Sequence, residues 1–342
     1  MKKSLFVLGV AVAALASCTQ NEVVDIAESN VIKFDNAFVG NATKATAPEI
    51  TKDNITDIYV YAQNAATGGD GSGTAVFTNE HVYKTTAGEW TYDNWQKWNN
   101  DDKPYYKFAA YAGKQLTDVT NVSFDWSSGL LSFQNLTIDG GTQYDLLANS
   151  NAVTNDQTAS RPKISFSLDH LLSMVQFTLK SGFDENHKVT IEGFKFYGLK
   201  TQGSCSYSNG WKWDTESSSD VALDGTNFNG AGGDAVGAAI SSGETATDVV
   251  ESWVVIPQSI TGPKAMATFT AKVYENNGGE SLAEKAFTAQ LPTITWQPGF
   301  RYNYIFTIDV DIMDLADEYI TFDAPTVTGW DKTTDISNGT LQ

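Results

Sequence analysis

The 342-residue chain has little cysteine, proline, histidine and positive charge, and each shortage excludes a class of protein. Its 2 cysteines and 8 prolines exclude a disulfide-stapled or collagen-like chain. Its 3 histidines leave little material for a histidine-rich metal site. With 22 basic against 41 acidic residues the formal net charge is −19, so no nucleic acid and no anionic membrane face is expected as a partner.

Hydrophobic residues make up 41% of the chain and charged residues 18%, which is enough apolar material for a buried core. Most regular segments alternate apolar and polar residues, a pattern typical of half-buried β-strands. The clear examples are Ile58–Tyr61, Tyr105–Tyr111, Leu130–Leu136, Val175–Leu179, Val189–Tyr197, Val249–Ile256, Met266–Tyr274 and Tyr302–Val310. Asn209-Gly210, between Tyr207 and Trp211, predicts a hairpin turn. We therefore predict an all-β fold of two antiparallel β-sandwiches.

Residues 1–17 have the pattern of a secretory signal peptide, because two lysines precede an apolar run that ends in small residues. The run is shorter than the roughly 20 residues needed to cross a bilayer. Leu15-Ala16-Ser17-Cys18 resembles a bacterial lipobox, and the resemblance implies cleavage before Cys18 and its lipidation. Residues 18–30 would then be a lipidated tether of an outer membrane lipoprotein. The alternative is an ordinary signal peptide with an incidental cysteine.

A polar stretch at residues 149–160 separates two strand-rich blocks of similar size. It predicts an N-terminal domain over 31–155 and a C-terminal domain over 156–342. Residues 215–248 are rich in Ser, Gly, Ala, Asp and Thr and predict a long surface loop, with Val221–Leu223 as one candidate strand.

Catalytic motifs are missing from the sequence: it has no phosphate-binding loop, no nucleophile elbow and no zinc-binding helix pattern. His170 lies between apolar strand residues, and we interpret it as a structural histidine rather than a catalytic base. We predict that the chain is not an enzyme and has no catalytic residue, no cofactor and no metal site. A hydrolase with a site assembled from distant residues is the weakest alternative.

Trp90, Tyr92, Trp95 and Trp98 form an aromatic cluster beside Asn and Asp residues. Large aromatic side chains are mostly buried, so packing within the first sandwich is the favoured interpretation. Exposed tryptophans would instead suit stacking on sugar rings. The alternative function is therefore a monomeric surface lipoprotein, an adhesin that binds glycan or a host ligand through exposed Trp and Tyr.

Several short segments, in order across residues 105–330 and behind the lipobox, resemble the fimbrillin family, the Mfa-like and FimA-like pilus subunits of Bacteroidota. The segments are Tyr106–Tyr111, Tyr144–Ala148, Ile164–Val175, Val255–Gln258, Trp296–Gly299, Tyr302–Tyr304, and Val327 with Trp330. The resemblance implies two tandem transthyretin-like Greek-key β-sandwich domains, a lipoprotein precursor and a cell-surface fimbrium. It also implies that a trypsin-like protease removes the first strand, after which a strand of another pilin subunit fills the open groove.

The removable strand is predicted at residues 31–38, with Ile32, Phe34 and Phe38 on one face. Of the lysines that follow Cys18 and precede Ile55, Lys44 lies among small polar residues, so cleavage is predicted between Lys44 and Ala45. The family more often has arginine there, so this chain requires a protease that accepts lysine.

Near the C-terminus, Ile320-Thr321-Phe322-Asp323 repeats the alternation of Ile32-Lys33-Phe34-Asp35. A replacement strand must offer similar side chains to the same groove, which makes the C-terminal strand the candidate donor. Pro325 should mark a bend between two paired segments, because proline lacks an amide hydrogen. The predicted donor residues are Ile320, Phe322, Val327 and Trp330. The alternative is that this strand completes its own domain.

Overall fold

The computed structural model describes residues 30–39, 50–68, 73–99, 101–116, 121–155, 161–215, 228–229, 238–241, 249–261, 265–275, 279–314, 319–330 and 335–336. Within these residues the chain is nearly all β, with one short helix, α1 (Val310–Asp314). The predicted all-β class is confirmed. Among the same residues, no helix has both the length and the apolar character that a membrane span requires.

The strands follow one another along the chain, and their bounds are given in two groups. The first group is β1 (Phe34–Val39), β2 (Asp57–Ala65), β3 (Thr74–Lys84), β4 (Trp90–Thr91), β5 (Tyr105–Gly113), β6 (Val122–Asp125), β7 (Leu130–Thr137), β8 (Leu146–Asn149), β9 (Val153–Asn155), β10 (Ile164–His170), β11 (Ser173–Ser181) and β12 (His187–Tyr197). The second group is β13 (Gln202–Tyr207), β14 (Trp211–Asp214), β15 (Phe228–Asn229), β16 (Ala238–Ser241), β17 (Val249–Val255), β18 (Ser259–Ile260), β19 (Met266–Glu275), β20 (Ser281–Gln290), β21 (Ile294–Thr295), β22 (Phe300–Ile308), β23 (Tyr319–Thr321), β24 (Thr326–Gly329) and β25 (Asp335–Ile336).

The N-terminal sheet has the strand order β1-β10-β8-β5-β2-β3-β4, with β9 also paired to β5. Both of its faces are covered. On β2, Ile58 and Val60 face the N-terminal core, whereas Tyr59 and Tyr61 face a second, central core. The alternating pattern predicted a strand with one buried and one exposed face. In the structure both faces of β2 are largely buried, because strands distant in sequence cover the second face.

The central core lies between the N-terminal sheet and a four-stranded sheet with the order β14-β13-β7-β6. The predicted hairpin is confirmed, because β13 and β14 pair with Tyr207 opposite Trp211. Asn209 and Gly210 adopt φ values of 52° and 108°, the positive angles that the turn needs. Three residues, rather than two, separate the paired positions.

The C-terminal core lies between a five-stranded sheet, β17-β11-β22-β24-β25, and a six-stranded sheet, β15-β12-β19-β20-β23, with β16 also paired to β12. A two-stranded pair, β18 with β21, completes the sheets of the described residues. Two short strands, β15 and β16, fall inside the range 215–248 that was predicted to be a loop. The candidate strand Val221–Leu223 lies outside the described residues.

Strand pairing crosses the predicted domain boundary at residue 155. The strand β10 lies within the N-terminal sheet, and β7 pairs with β13 in the central one. The boundary and the Greek-key arrangement stay predictions. The sheet order nevertheless shows that strands from both sides of residue 155 pair within the same sheets.

Candidate functional site

Residues 30–39, here called the closing segment, are attached to the molecule on two sides. Val31 pairs with Lys97, and the Ile32 N–H donates to the Gln96 carbonyl at 2.9 Å. From Phe34 onward the segment runs parallel to β10, and the Ile164 N–H donates to the Lys33 carbonyl at 2.8 Å. The closing segment therefore changes its neighbour at Lys33 and lies at one end of the N-terminal sheet.

The closing segment contributes three buried side chains, Ile32, Phe34 and Ala37, to the N-terminal core. The Phe34 ring lies 5.5 Å from Tyr92, 5.8 Å from Phe77 and 6.2 Å from Phe166. Burying a large apolar side chain contributes about 1.5–3 kcal/mol. Without this segment, the core would open into a groove lined by aromatic rings.

Tyr92 connects these aromatic rings to the backbone of the closing segment. Its hydroxyl donates to the Ile32 carbonyl at 2.8 Å and accepts the Gln96 N–H at 3.2 Å. Burial raises the pKa of Tyr92 to about 12, so the hydroxyl keeps its proton across the physiological range.

Ile32 and Phe34, two of the three residues predicted to share one face, are both buried in the N-terminal core. The pairing register shifts between Phe34 and Ala37, and the Ala37 side chain is buried. An extra residue in one strand reverses the side-chain alternation beyond it, so spacing alone does not give the face of the residues that follow. The Phe38 side chain lies outside the described residues.

The predicted processing residues Cys18, Lys44 and Ala45 also lie outside the described residues. Lys33 lies inside them, with an exposed side chain and a backbone carbonyl bonded to Ile164.

Three of the four C-terminal residues predicted to act as donors, Phe322, Val327 and Trp330, are buried within their own chain. Phe322 is 2% exposed and lies in the C-terminal core, with its ring 5.4 Å from Phe177 and 5.7 Å from Phe306. Val327 joins the same core, and Trp330 joins the central one. The Ile320 backbone pairs with Ala289, whereas its side chain lies outside the described residues.

The bend predicted at Pro325 is confirmed. The segment before it, β23, pairs with β20 of the six-stranded sheet. The segment after it, β24, pairs with β22 of the five-stranded sheet. Proline thus separates two paired segments that belong to different sheets.

His170 is a buried structural histidine, as the sequence indicated. Its Nδ1 lies 3.0–3.1 Å from the carboxylate oxygens of Asp145, and both side chains are 0% exposed. The same carboxylate accepts the Ile50 N–H at 2.9 Å, and the Trp330 ring stacks on His170 with centroids 4.4 Å apart. Sequence reasoning missed Asp145 as the partner, although an acid inside the apolar run Tyr144–Ala148 was a signal.

The second cysteine, Cys205, is a buried free thiol in the central core. Burial raises its pKa, so it remains a neutral thiol at physiological pH. Among the residues that the structure describes, no three or more His, Cys, Asp or Glu side chains gather where they could hold a metal ion.

The aromatic cluster divides into two groups. Trp90, Tyr92 and Trp98 are buried in the N-terminal core, which confirms the packing interpretation for these three. Trp95 is 60% exposed. It is therefore the member of the cluster that remains available to a ligand.

These features define an all-β chain of several sheets, in which the closing segment lies at one end of the N-terminal sheet. A family model described as fimbrillin-like matches residues 43–330, and the chain belongs to this family. The family resemblance predicted from the sequence is confirmed. The family consists of structural proteins rather than enzymes, and membership supports a pilus-associated or adhesive role at the cell surface.

Similar solved structures come from species of Bacteroides and Parabacteroides. A candidate cell adhesion protein from Bacteroides uniformis is 15% identical, with 88% of this chain and 98% of that chain covered and a TM-score of 0.46. A fimbrial protein from Bacteroides ovatus is 14% identical, with 86% and 50% covered and a TM-score of 0.38. A fimbrial assembly protein from Parabacteroides distasonis is 13% identical, with 82% and 93% covered and a TM-score of 0.33. No curated protein matches the chain.

Proposed function

We propose that this protein is a structural subunit of a cell-surface pilus that polymerises by donor-strand exchange. It is exported as a lipoprotein precursor and anchored to the outer membrane through lipid on Cys18. A trypsin-like protease cuts between Lys44 and Ala45 and so frees the closing segment. A strand from another pilin subunit then takes its place.

The observation that carries this proposal is the double attachment of the closing segment at one end of the N-terminal sheet. Its loss would unpair backbone groups of β10 on one side and of residues 96–98 on the other. Each buried donor or acceptor left without a partner costs about 1–3 kcal/mol. An incoming strand that carries large apolar side chains would restore both the hydrogen bonds and the packing around Phe77, Tyr92 and Phe166.

The C-terminal strand is the proposed donor, because Ile320-Thr321-Phe322-Asp323 repeats the alternation of Ile32-Lys33-Phe34-Asp35 in the closing segment. Donation requires Phe322 to leave the core of its own chain. The aromatic groove offers Phe322 an environment similar to the one it leaves, so the exchange replaces one burial with another. The competing interpretation is that this strand stays in place and completes its own chain.

The experiment that tests the proposal compares Lys44→Ala with Lys52→Ala in the full chain. Lys52 is a matched control, since it is an exposed lysine that lies in a hydrogen-bonded turn over Thr51–Ile55. We expect Lys44→Ala to remain an unpolymerised, lipid-anchored precursor. Lys52→Ala should be processed to a chain beginning at Ala45 and should polymerise, as measured by N-terminal sequencing and electron microscopy of the cell surface.

A polymer formed by the Lys44→Ala variant with residues 19–44 still attached would contradict the groove mechanism. If both variants, and the wild type, stayed monomeric at the cell surface, the adhesin alternative would be favoured. Its structural support is the exposure of Trp95.

A further inference from the structure

Trp95 is exposed in a loop that is held in place on both sides. The Asn94 side-chain amide donates to Glu80 at 3.2 Å. On the other side, the Gln96 N–H donates to the buried Tyr92 hydroxyl at 3.2 Å. An indole ring that is 60% exposed on a braced loop is a preformed flat surface, and ordering it for a ligand costs little entropy.

Trp95 borders a cleft of about 440 Å³, which is within the size range of small-ligand sites. One wall is the closing segment, from Val31 to Asp35. The opposite wall is the turn from Thr85 to Glu89 with β4. The turn is fixed by hydrogen bonds, since the Thr85 N–H donates to the Glu89 carbonyl at 2.8 Å and the Gly88 N–H donates to the Thr85 carbonyl at 2.9 Å.

Gly88 is one of the residues that line this cleft. Its φ is +83°, and a Cβ placed on it would meet no atom within 4 Å. A larger residue would be strained at this angle and would project into the open space. The turn therefore combines a fixed backbone with a small side-chain volume.

The charges around the cleft cancel. Lys33 and Lys163 contribute two positive charges, whereas Asp35 and Glu89 contribute two negative ones, and all four side chains are exposed. A locally neutral site on a protein of net charge −19 gives no advantage to an anion. The same four groups, with the Thr85 and Thr91 hydroxyls, offer many donors and acceptors to a neutral polyhydroxylated ligand.

We infer that this cleft binds a neutral oligosaccharide, with one sugar ring lying on Trp95 and its hydroxyl groups bonded to the charged rim. The apolar face of a sugar ring suits the indole surface, and its edge suits carboxylates and ammonium groups. A β-strand from a second copy fits less well, because the backbone of the closing segment is already paired with Lys97 and Ile164. The inference concerns the uncleaved chain, because the closing segment forms one wall of the site and would leave it on the proposed processing.

The test uses the full chain on a printed array of neutral and sialylated oligosaccharides, followed by calorimetric titration of the best-bound neutral glycan. We expect Trp95→Ala to weaken binding at least about tenfold and Trp95→Phe to retain it within about threefold. Tyr207→Ala is the matched control, because Tyr207 is an exposed aromatic on the hairpin of the central sheet and should not change binding. All three substitutions are at exposed positions and should leave the melting temperature nearly unchanged.

The inference is overturned if no neutral glycan is retained, if sialylated glycans are preferred, or if Trp95→Ala binds as tightly as the wild type. Self-association that Trp95→Ala abolishes, in the absence of glycan binding, would assign the cleft to a second copy instead. The pilus proposal is tested separately, since Trp95→Ala should still be cleaved after Lys44 and should polymerise normally.

Discussion

The two ends of the described chain carry the same four-residue pattern but are attached in different ways. In the closing segment, Ile32 and Phe34 lie in the N-terminal core alone. In the C-terminal segment 319–330, Phe322 lies in the C-terminal core and Trp330 in the central one. The C-terminal segment also pairs with two sheets, whereas the closing segment pairs with β10 and, through Val31, with Lys97.

This difference shows that an alternating Ile-x-Phe pattern does not by itself identify a removable strand. What distinguishes the closing segment is its position, because its buried side chains Ile32, Phe34 and Ala37 belong to one core, so its loss would leave the other two cores complete. Detaching the C-terminal segment would disturb both of those cores. On the proposed mechanism, removal of the closing segment opens the groove. Donation of the C-terminal segment then removes side chains from two cores, so binding in the groove must offset a larger loss of packing.

The largest expected effects come from Phe34→Ala and Phe322→Ala, which test this comparison directly. Each substitution removes a large side chain from a well-packed core, so each should lower the free energy of unfolding of the uncleaved chain by about 3–5 kcal/mol. On the proposed mechanism, processing removes Phe34 from the mature subunit. Guanidinium denaturation of the assembled polymer should then show wild-type stability for Phe34→Ala and a marked loss for Phe322→Ala.

Leu282→Ala is the control for this pair, because Leu282 is an exposed apolar residue on β20. It should change the unfolding free energy by no more than about 0.5 kcal/mol. Equal losses of polymer stability from Phe34→Ala and Phe322→Ala would show that the closing segment remains in the polymer.

Local pattern was sufficient for the strand-rich fold class, for the hairpin at Asn209-Gly210 and for the break at Pro325, because backbone geometry at these positions depends on neighbouring residues. The family followed from short segments spaced along the chain. Non-local contacts were beyond such reasoning. Asp145 and His170 are 25 residues apart, and their hydrogen bond depends on the pairing of β8 with β10.

The aromatic cluster shows the same limit. Tyr92 is buried because the closing segment, 60 residues earlier in the chain, covers it. Trp95 lies in the same stretch of sequence, but its side chain is exposed. Composition therefore indicated packing for the cluster as a whole, whereas only the fold separates the exposed member from the buried ones.

The next effect concerns which strand fills the groove. Synthetic peptides spanning residues 31–39 and 319–330 should both bind the cleaved chain, and neither should bind the uncleaved chain, in which the groove is occupied. Phe322→Asp in the second peptide should weaken binding at least about tenfold, because it places a charge among aromatic rings. Fluorescence anisotropy of the labelled peptides measures both comparisons.

Binding of the first peptide without the second would show that the C-terminal segment completes its own chain and that another strand is the donor. Binding of either peptide to the uncleaved chain with similar affinity would place the contact outside the groove.

The smallest expected effect is a pH-dependent contribution from Tyr92, which holds the closing segment through the Ile32 carbonyl. Burial raises its pKa from 10.0 to about 12, so the folded chain retains a proton that the unfolded chain loses first. The stabilisation is therefore complete below pH 10 and falls as the pH rises toward 12.

At pH 8, Tyr92→Phe should be about 1 kcal/mol less stable than the wild type, the value of one hydrogen bond. At pH 11 that difference should shrink, because the unfolded wild type has begun to lose its Tyr92 proton, whereas phenylalanine has no proton to lose. A wild-type advantage over Tyr92→Phe that stays constant from pH 8 to pH 11 in thermal denaturation would show that burial does not raise the pKa of Tyr92 in the folded chain.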